Sequence, residues 1–400
     1  MGCGVTELMA DFTQLITNLQ ADVDAADSDT SMRDILALLH RGSKITTFHK
    51  WYDSAGVLPI DSAYGGYIAF TKSDNALRVF NDSDMRWAAL DSALEATSSS
   101  HIQGSNFGYS LGGIGPGTAV NTIQKFSFTA DENATDVADL TESVRQHTGA
   151  YSSTDAFRHG GYVSSEVSTI DKFNFASGAN AADFGDFPAV GRYGSGNSGP
   201  THGYQAGGLP APNSFGSGGN NKIVKYPFAA GSITTSAVGD LSGAAQYLNA
   251  NASETNGYFM AISGASDVIE KFPFASDGDT TDVGDLLDAT SDGRTHNGLL
   301  SDVSGGYGYT NHQPPSTYHI VRFSFSTDGD ATDYCDFTFN NKWLVATAPS
   351  TTHGYYAGGL STPGNSYQND IAKFSYSSTA NTTDVADLIA ALGYNLGAAN

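Results

Sequence analysis

One arrangement of apolar and polar positions recurs along most of the chain. An apolar residue is followed, after one variable position, by a basic residue, an aromatic residue, another variable residue and a second aromatic residue. About eight mostly polar positions come next, and then the sequence D-V-x-D-L or a close variant. Short alternating runs bounded by turn-forming residues are typical of β-strands. The arrangement therefore predicts two consecutive strands, c and d, joined by a polar turn.

The arrangement occurs six times, at intervals of 47, 53, 46, 51 and 51 residues. Each copy is marked by a basic-aromatic pair: Lys125-Phe126, Lys172-Phe173, Lys225-Tyr226, Lys271-Phe272, Arg322-Phe323 and Lys373-Phe374. A period near 50 residues is that of a four-stranded propeller blade, whereas leucine-rich and ankyrin repeats are much shorter. The sequence therefore predicts an all-β fold, a six-bladed β-propeller of four-stranded blades.

A glycine-containing element precedes every copy and is predicted to be strand b. These elements begin at Phe107, His159, His202, Asn256, Gly305 and His353. Strand a is then the variable stretch between D-L and the next strand b. No strands c and d precede the first strand b, and only twelve residues follow the last D-V-A-D-L. One blade must therefore combine both ends of the repeat region, which removes the open sheet edges.

This strand order resembles the kelch repeat, in which a glycine doublet ends one strand, an aromatic residue marks the next and a basic residue follows strand d. Arg145, Arg192 and Lys342 occupy that basic position, whereas Gln246 and Gly393 depart from it. The kelch tryptophan is missing. The resemblance covers about 300 residues and implies a propeller.

The combination of K-F-x-F, T-D-V-x-D-L and H-G-Y-x-A-G-G more closely resembles repeats in structural proteins of marine bacteriophages. In those proteins, propellers decorate capsids, tails and fibres. The resemblance implies a virion structural protein, located in the virion, that displays its propeller for contact with the host surface.

Residues 1–96 carry a different pattern and are predicted to form a small α+β attachment segment, followed by the propeller in residues 97–400. Apolar residues at intervals of three and four predict one side of a helix: Val5, Leu8, Phe12, Leu15 and Leu19. This side is predicted to pack against another virion protein or a second copy of the chain. The alternative is packing within the chain, onto a second helix that contains Ile35, Leu36, Leu38 and Leu39.

A β-hairpin is predicted near the end of the same segment. Tyr67–Phe70 and Leu77–Phe80 alternate around a turn-forming sequence and lead to Trp87. The pattern Y-I-A-F followed by N-A-L-x-V-F-N and a tryptophan resembles segments of phage fibre proteins. A small polar linker then extends from Ala96 to Ser100.

Composition and charge narrow the range of partners. The 46 Gly, 20 Tyr and 22 Phe suit a turn-rich β protein. The net charge of −23 argues against nucleic acid and anionic membranes, since phosphate binding needs clustered Lys and Arg. No apolar run approaches 18 residues, so no membrane insertion is predicted. Cys3 and Cys335 fall in different predicted domains and cannot build a disulfide framework.

The charged residues of the repeat have structural interpretations. Strand-c cations are predicted to pair with strand-d acids of the same blade, such as Asp136 and Asp139; the alternative is a functional ring of six cations. The turns that begin at Asp131, Asp277 and Asp328 resemble fragments of calcium loops, but they lack the full ligand spacing. Turn formation explains them, and no metal or cofactor is predicted.

Three histidines are assigned to one position of strand b: His159, His202 and His353. Each is predicted to bind a backbone or hydroxyl partner, because equivalent positions on separate blades are too far apart for a shared metal. No nucleophile elbow or convergent acid pair appears, so the protein is predicted not to be an enzyme.

Recognition is predicted on the face that carries the b–c loops and d–a turns, opposite the a–b and c–d turns. The b–c spans vary from 10 residues between Tyr162 and Lys172 to 21 between Tyr204 and Lys225, and variable loops on a fixed scaffold are typical of binding surfaces. The candidate ligand-binding residues are Phe215, Asn220, Asn221, Asn311, His312, Tyr318, Tyr367 and Gln368.

Aromatic and amide side chains of this kind suit sugars, so a host-surface glycan is the expected partner. The alternative function is that of a carbohydrate-binding lectin unrelated to a virus. A third, hydrolysis of surface polysaccharide, lacks a residue set that converges on a mechanism.

Overall fold

A computed structural model describes the strands of the N-terminal part and most of the chain from residue 101 onward. The described ranges are 68–71, 76–81, 86–89, 101–187, 191–210, 220–229, 236–260, 267–287, 299–312, 319–338, 341–343, 345–362 and 366–400. They fall into two compact units, with the second beginning at Ser99. The predicted attachment helix and the second helix lie outside the described residues.

The N-terminal unit contains a three-stranded antiparallel sheet in chain order. Its strands are Ile68–Thr71, Ala76–Asn81 and Arg86–Ala89. Ile68 pairs with Val79 in the predicted hairpin, and Phe80 pairs with Trp87 in the added third strand. The hairpin is thus confirmed and extended by one strand.

The second unit is a ring of six antiparallel blades, each with strands in the order a, b, c and d. Blade 1 contains Leu396–Ala399, Phe107–Ile114, Ala119–Ser127 and Thr135–Asp139. Blade 2 contains Thr148–Tyr151, Asp155–His159, Thr169–Asn174 and Ala182–Asp186. Blade 3 contains Ser195–Ser198, His202–Ala206, Asn220–Pro227 and Ser236–Ala245.

The remaining blades follow the same order. Blade 4 contains Asn249–Ala252, Asn256–Met260, Val268–Pro273 and Thr281–Asp285. Blade 5 contains Ser301–Asp302, Tyr307–His312, His319–Ser324 and Thr332–Asp336. Blade 6 contains Ala346–Pro349, His353–Ala357, Ser366–Ser375 and Thr383–Leu392. Two short pairs are added, Gly191–Arg192 with Leu209–Pro210 and Asn341–Trp343 with Leu360–Thr362.

The ring closes as predicted, because the last strand of the chain supplies strand a of blade 1. Leu396 pairs with Leu111 and Ala399 pairs with Gly108. The two ends of the propeller sequence are therefore joined by a β-ladder.

The sequence-based position of strand b was wrong in blade 2. The strand is Asp155–His159, whereas the prediction started it at His159. Thr154 and Asp155 occupy the place that Thr201 and His202 occupy in blade 3, and each pair opens its strand after the a–b turn. The prediction aligned the wrong H-G pair, because blade 2 has alanine where the other blades carry the strand-b glycine.

The repeated aromatic residues form the interfaces between blades. The aromatic residue in the middle of each strand b packs against strand-c aromatic residues of the following blade. The shortest ring-centroid distances are 4.8 Å for Tyr109–Phe175, 5.0 Å for Phe157–Phe228, 5.1 Å for Tyr204–Phe274, 4.9 Å for Tyr258–Phe325, 5.1 Å for Tyr309–Tyr376 and 4.8 Å for Tyr355–Phe128. Such pairs contribute about 0.5–1.5 kcal/mol each beyond area burial. The K-F-x-F and G-Y motifs are therefore two halves of one interface.

The glycine before the strand-b aromatic makes room for the strand-c aromatic of its own blade. A Cβ at Gly203 would lie 2.4 Å from the Tyr226 ring, and one at Gly354 would lie 2.4 Å from the Phe374 ring. Close packing continues at the centre, where a Cβ at Gly196 would lie 1.8 Å from the carbonyl oxygen of Gly149 on the neighbouring inner strand. Interiors at this density cannot absorb an added methyl group without a shift of backbone.

Candidate ligand-binding site

Three of the six strand-c cations pair with an aspartate of the next blade, so the prediction that they pair with strand-d acids of their own blade was wrong for these three. Lys225 binds Asp277 in the c–d turn of the next blade, and the same link joins Lys271 to Asp328 and, at 2.7 Å, Lys373 to Asp131. The reason is that successive side chains of a strand project to opposite faces of the sheet. Lys271 stands opposite Thr281, whereas Asp282 stands opposite Glu270 and therefore projects from the other face of the sheet.

The other three strand-c cations precede blades whose c–d turns lack that aspartate. Lys172 turns to Asp155 of its own blade, at 3.3 Å. Lys125 lies over the Phe107 ring at 4.6 Å, and Arg322 lies over the Tyr307 ring at 4.5 Å. Six equivalent cations are thus held in three different ways, which does not support a functional ring.

A second link joins strand d to the c–d turn of the next blade. Asp240 donates its N–H to Asp279 Oδ1 at 3.0 Å, and Thr280 donates its N–H to the Asp240 carbonyl at 2.9 Å. The side-chain half of this link recurs for Asp139 with Asn180, Asp285 with Asp330, Asp336 with Asn381 and Asp387 with Asn133. The acids of the calcium-like turns therefore hold blades together.

The three histidines have hydroxyl partners, but they do not share one position. His202 lies 2.8 Å from Thr201 Oγ1, and His353 forms the same contact with Thr352 at the start of its strand b. His159 lies instead at the end of strand b, 2.6 Å from the Tyr226 hydroxyl. Burial, with Arg158 and His147 nearby, lowers the pKa of His159 to about 3.

Within the described ranges, one group of residues has metal-ligand chemistry: His319, Asp333 and Asp336. His319 Nδ1 lies 2.8 Å from Asp336 Oδ1, directly across the strand c and strand d pair. In blade 3, Lys222 pairs with Asp240 at the same position of the ladder, at 2.6 Å. The imidazole of His319 thus stands at the ladder position that a lysine occupies in blade 3.

Three of the eight predicted ligand-binding residues form hydrogen bonds within the loops, and three lie at least in part outside the described residues. Phe215 and Tyr318 and the side chain of His312 lie outside the described residues. Asn220 Nδ2 donates to the Gly207 carbonyl at 3.0 Å, and Asn221 Nδ2 lies 3.4 Å from the Leu241 carbonyl.

The other three predicted residues that the structure describes are Asn311, Gln368 and Tyr367. Asn311 is buried, and Gln368 Nε2 donates to the Ser366 carbonyl at 3.0 Å. Tyr367 packs against Leu360 together with Tyr247 and Tyr394, where the turns that precede strand a come together.

Four d–a turns meet at that centre, which we call the d–a mouth. Each contains a residue with positive φ two positions before strand a: Gln146 at 58°, Tyr193 at 61°, Tyr247 at 59° and Tyr394 at 56°. A left-handed conformation costs about 1–3 kcal/mol in residues other than glycine and is found preferentially at ligand sites. Here the strain is repeated around the ring.

The tyrosines of the d–a mouth contact one another across blades. Tyr247 donates its N–H to the Tyr193 carbonyl at 2.7 Å, and Tyr193 donates its own to the Gln146 carbonyl at 3.2 Å. The rings of Tyr193 and Tyr247 are 4.3 Å apart, and that of Tyr394 is 6.4 Å from Tyr193. Burial and a hydrogen bond with Tyr247 raise the pKa of Tyr193.

Two arginines extend the d–a mouth beside blade 2. The guanidinium carbons of Arg145 and Arg192 lie 5.1 Å and 5.0 Å from the ring centroid of Tyr162. Arg192 also donates to Gln146 Oε1 at 3.0 Å and lies 3.3 Å from Glu166. Tyr162 is held by two backbone hydrogen bonds with Arg145, so the b–c loop of blade 2 is fixed against the d–a turn.

The opposite mouth, which we call the a–b mouth, is filled by the segment His101–Asn106. His101 contacts the Ser198 carbonyl of blade 3 at 3.2 Å and Glu254 of blade 4 at 3.3 Å. The Ile102 carbonyl accepts from the Tyr151 hydroxyl of blade 2 at 2.7 Å. Ile102 itself is completely buried.

The same segment reaches the other three blades. Gln103 Oε1 accepts from the Val303 N–H of blade 5 at 3.1 Å, and Gln103 Nε2 donates to the Ser350 carbonyl of blade 6 at 2.7 Å. Asn106 donates its N–H to the Asn400 carbonyl of blade 1 at 2.8 Å. The predicted linker, Ala96–Ser100, lies outside the described residues, and the segment that follows it, His101–Asn106, forms a stopper that contacts all six blades.

Sequence reasoning missed the d–a tyrosines, although a signal was present. Tyr193, Tyr247 and Tyr394 each follow the position at which the kelch comparison looked for a basic residue, occupied by Arg192, Gln246 and Gly393. The kelch comparison considered only the basic position, so the tyrosine that follows it in three blades was not identified.

No known protein-family description and no curated protein matches the chain. None of the residues that the structure describes belongs to a helix long and apolar enough to cross a membrane. The fold is that of a β-propeller, a class compatible with a binding or structural role.

Proposed function

We propose that the protein is a non-enzymatic recognition protein of a bacteriophage particle, in which the d–a mouth binds saccharides of the host surface. The observation that carries the proposal is the set of strained, mutually packed tyrosines around Tyr193 and Tyr247. Aromatic faces that meet a few polar groups at a concave centre are the usual chemistry of saccharide recognition.

The distribution of strain supports a ligand site at this mouth. Non-glycine residues adopt positive φ in four d–a turns and in two c–d turns, at Asp277 and Asp328. In the c–d turns the strained aspartates bind a lysine of the preceding blade. The d–a tyrosines pack their rings against one another, and Tyr247 and Tyr394 remain partly exposed.

Location on a virion is supported by the resemblance of the repeats to phage structural proteins. Attachment is assigned to residues 1–96, through the apolar side that contains Leu8, Phe12 and Leu15. Recognition is assigned to the d–a mouth of the propeller. A lectin unrelated to a virus would use the same mouth, so the two functions require separate tests.

Saccharide binding is tested on a glycan array with the full chain and with Tyr247→Ala and Tyr367→Ala. We expect binding that the two substitutions weaken by about tenfold or more. The control is Tyr307→Ala, which removes a tyrosine from strand b of blade 5. An array without signal at high protein concentration would rule out the saccharide function.

Virion location is tested independently by mass spectrometry of purified particles. We expect the chain in particle fractions at a fixed ratio to capsid protein. Its absence from all particle fractions, together with a positive array, would leave the lectin function alone.

A further inference from the structure

Charge at the d–a mouth differs from charge over the rest of the propeller. The chain carries a net charge of −23, and most described cations of the propeller have an acidic partner. The pairs are Arg158 with Asp171, Lys172 with Asp155, Arg192 with Glu166, Lys222 with Asp240, Lys225 with Asp277, Lys271 with Asp328 and Lys373 with Asp131. A cation left without an acid is therefore the exception in this protein.

Arg145 is such an exception, and it lies at the d–a mouth. Among the residues that the structure describes, its guanidinium group contacts the Tyr162 ring and has no carboxylate partner. The side chain is partly exposed, and its backbone is fixed to Tyr162 by hydrogen bonds in both directions, at 2.8 Å and 3.2 Å. The group is thus oriented by a ring, open to solvent and not neutralised.

Arg192 adds a second positive charge beside Arg145. The guanidinium carbon of Arg192 lies 5.0 Å from the same Tyr162 ring and 5.0 Å from the Tyr193 ring. Among the residues that the structure describes, Glu166 pairs with Arg192 and no carboxylate pairs with Arg145, so two cations lie beside one carboxylate at this place. A planar guanidinium group held on aromatic faces matches a carboxylate with two parallel hydrogen bonds.

We propose that the d–a mouth binds a carboxylate-bearing saccharide, with the acid group at Arg145 and the sugar ring packed on Tyr247. The proposal rests on the saccharide function stated above and specifies its ligand class. One carboxylate on a neutral sugar ring suits a single local cation, whereas a polyanion would be repelled by the acidic surface around it.

The proposal is tested by titration calorimetry of the full chain with an oligosaccharide that carries a single uronic acid residue among neutral sugars, and with the same oligosaccharide after reduction of that carboxyl group. We expect the acid form to bind about tenfold more tightly or better, and Arg145→Gln to remove the difference. Glu166→Gln removes the competing carboxylate and should tighten binding of the acid form severalfold, a gain that damage to the fold would not produce.

Arg322→Gln is the matched control, because Arg322 also lies over tyrosine rings without a described carboxylate partner, but on strand c of blade 5. This variant should bind both sugars as the parent does. Thermal unfolding identifies any variant that fails to fold. Arg145→Lys keeps the charge and should retain part of the preference for the acid form over the reduced form.

The other outcomes separate the two proposals. Equal binding of the acid and reduced sugars would overturn the carboxylate preference and leave the saccharide function standing. Binding of neither sugar, with an empty array, would overturn both. Equal competition by a short acidic peptide would show that the mouth recognises a carboxylate without regard to the sugar, which also overturns the proposal.

Discussion

The two mouths of the propeller are closed by different means. At the a–b mouth, one segment of the chain, His101–Asn106, satisfies hydrogen bonds of several blades and buries Ile102 completely. At the d–a mouth, four separate d–a turns meet, and two of them hold Tyr193 and Tyr247 in a left-handed conformation. One end is sealed by well-paired groups, whereas the other is covered by strained residues with partly exposed rings.

The difference indicates that the a–b mouth mainly stabilises the ring, whereas the d–a mouth is the surface for recognition. A segment that contacts six blades couples them, so its loss affects the whole ring. A strained turn with a partly exposed ring contributes less to stability. Stability is therefore concentrated at the a–b mouth, and binding at the d–a mouth. Four predictions test this contrast.

The largest effect is expected from deletion of residues 396–400. This strand extends from the turn of Tyr394 at one mouth to the Asn400 contacts at the other, and it closes blade 1. Its loss exposes an edge and several buried side chains, so we expect the free energy of unfolding to fall by more than about 4 kcal/mol. Urea unfolding followed by circular dichroism measures it. A polar tail added after residue 400 is the control, and an unchanged midpoint in the deletion would contradict the closure.

The next effect concerns the stopper of the a–b mouth. Ile102→Ala removes three carbon atoms from a completely buried side chain and should lower the free energy of unfolding by about 3 kcal/mol. Ile389→Ala is the matched control, because Ile389 is 56% exposed, and it should change stability by less than about 0.5 kcal/mol. Similar losses in the free energy of unfolding for both variants would contradict the stabilising role of the His101–Asn106 segment.

Acid is expected to destabilise the protein through His159, which ends strand b of blade 2. The ordinary pKa of 6.5 falls to about 3 in the folded protein because of burial. Between these values the unfolded chain binds a proton that the folded protein does not. The free energy of unfolding therefore decreases as pH falls, by about 1.4 kcal/mol per pH unit from this group.

The pH dependence is measured by urea unfolding between about pH 7 and pH 4.5. His159→Gln should reduce the slope of stability against pH. His202→Gln should reduce it less, because His202 is only partly buried and its pKa is lowered less strongly. A slope that His159→Gln leaves unchanged would show that other groups dominate acid unfolding.

The smallest effect isolates backbone strain at the d–a mouth. Tyr247 has a φ of 59°, which glycine adopts without strain and alanine does not. We expect Tyr247→Gly to be about 1 kcal/mol more stable than Tyr247→Ala. At Tyr307, in an ordinary strand, the order should reverse, since glycine weakens strands. Equal stability of the two variants at position 247 would argue against strain there.

The repeat alone determined the number of blades, the order of strands and the closure by both ends of the propeller sequence. These follow from local patterns, because a strand-forming run and a turn are recognisable wherever they recur. The same locality explains the errors. Blade 2 has Ala156 where other blades carry the motif glycine, so the H-G pair at His159 was aligned in its place.

Only the tertiary structure decided which residues meet between blades. Lys271 and Asp282 are close in sequence but project from opposite faces of the sheet, whereas Lys271 and Asp328 are brought together by the neighbouring blade. Tyr193 and Tyr247 stack because successive d–a turns converge on one axis, and His101–Asn106 fills the a–b mouth because six a–b turns end there. A repeat specifies each blade, but contacts around the axis depend on the closed ring, in which residues far apart in sequence become neighbours.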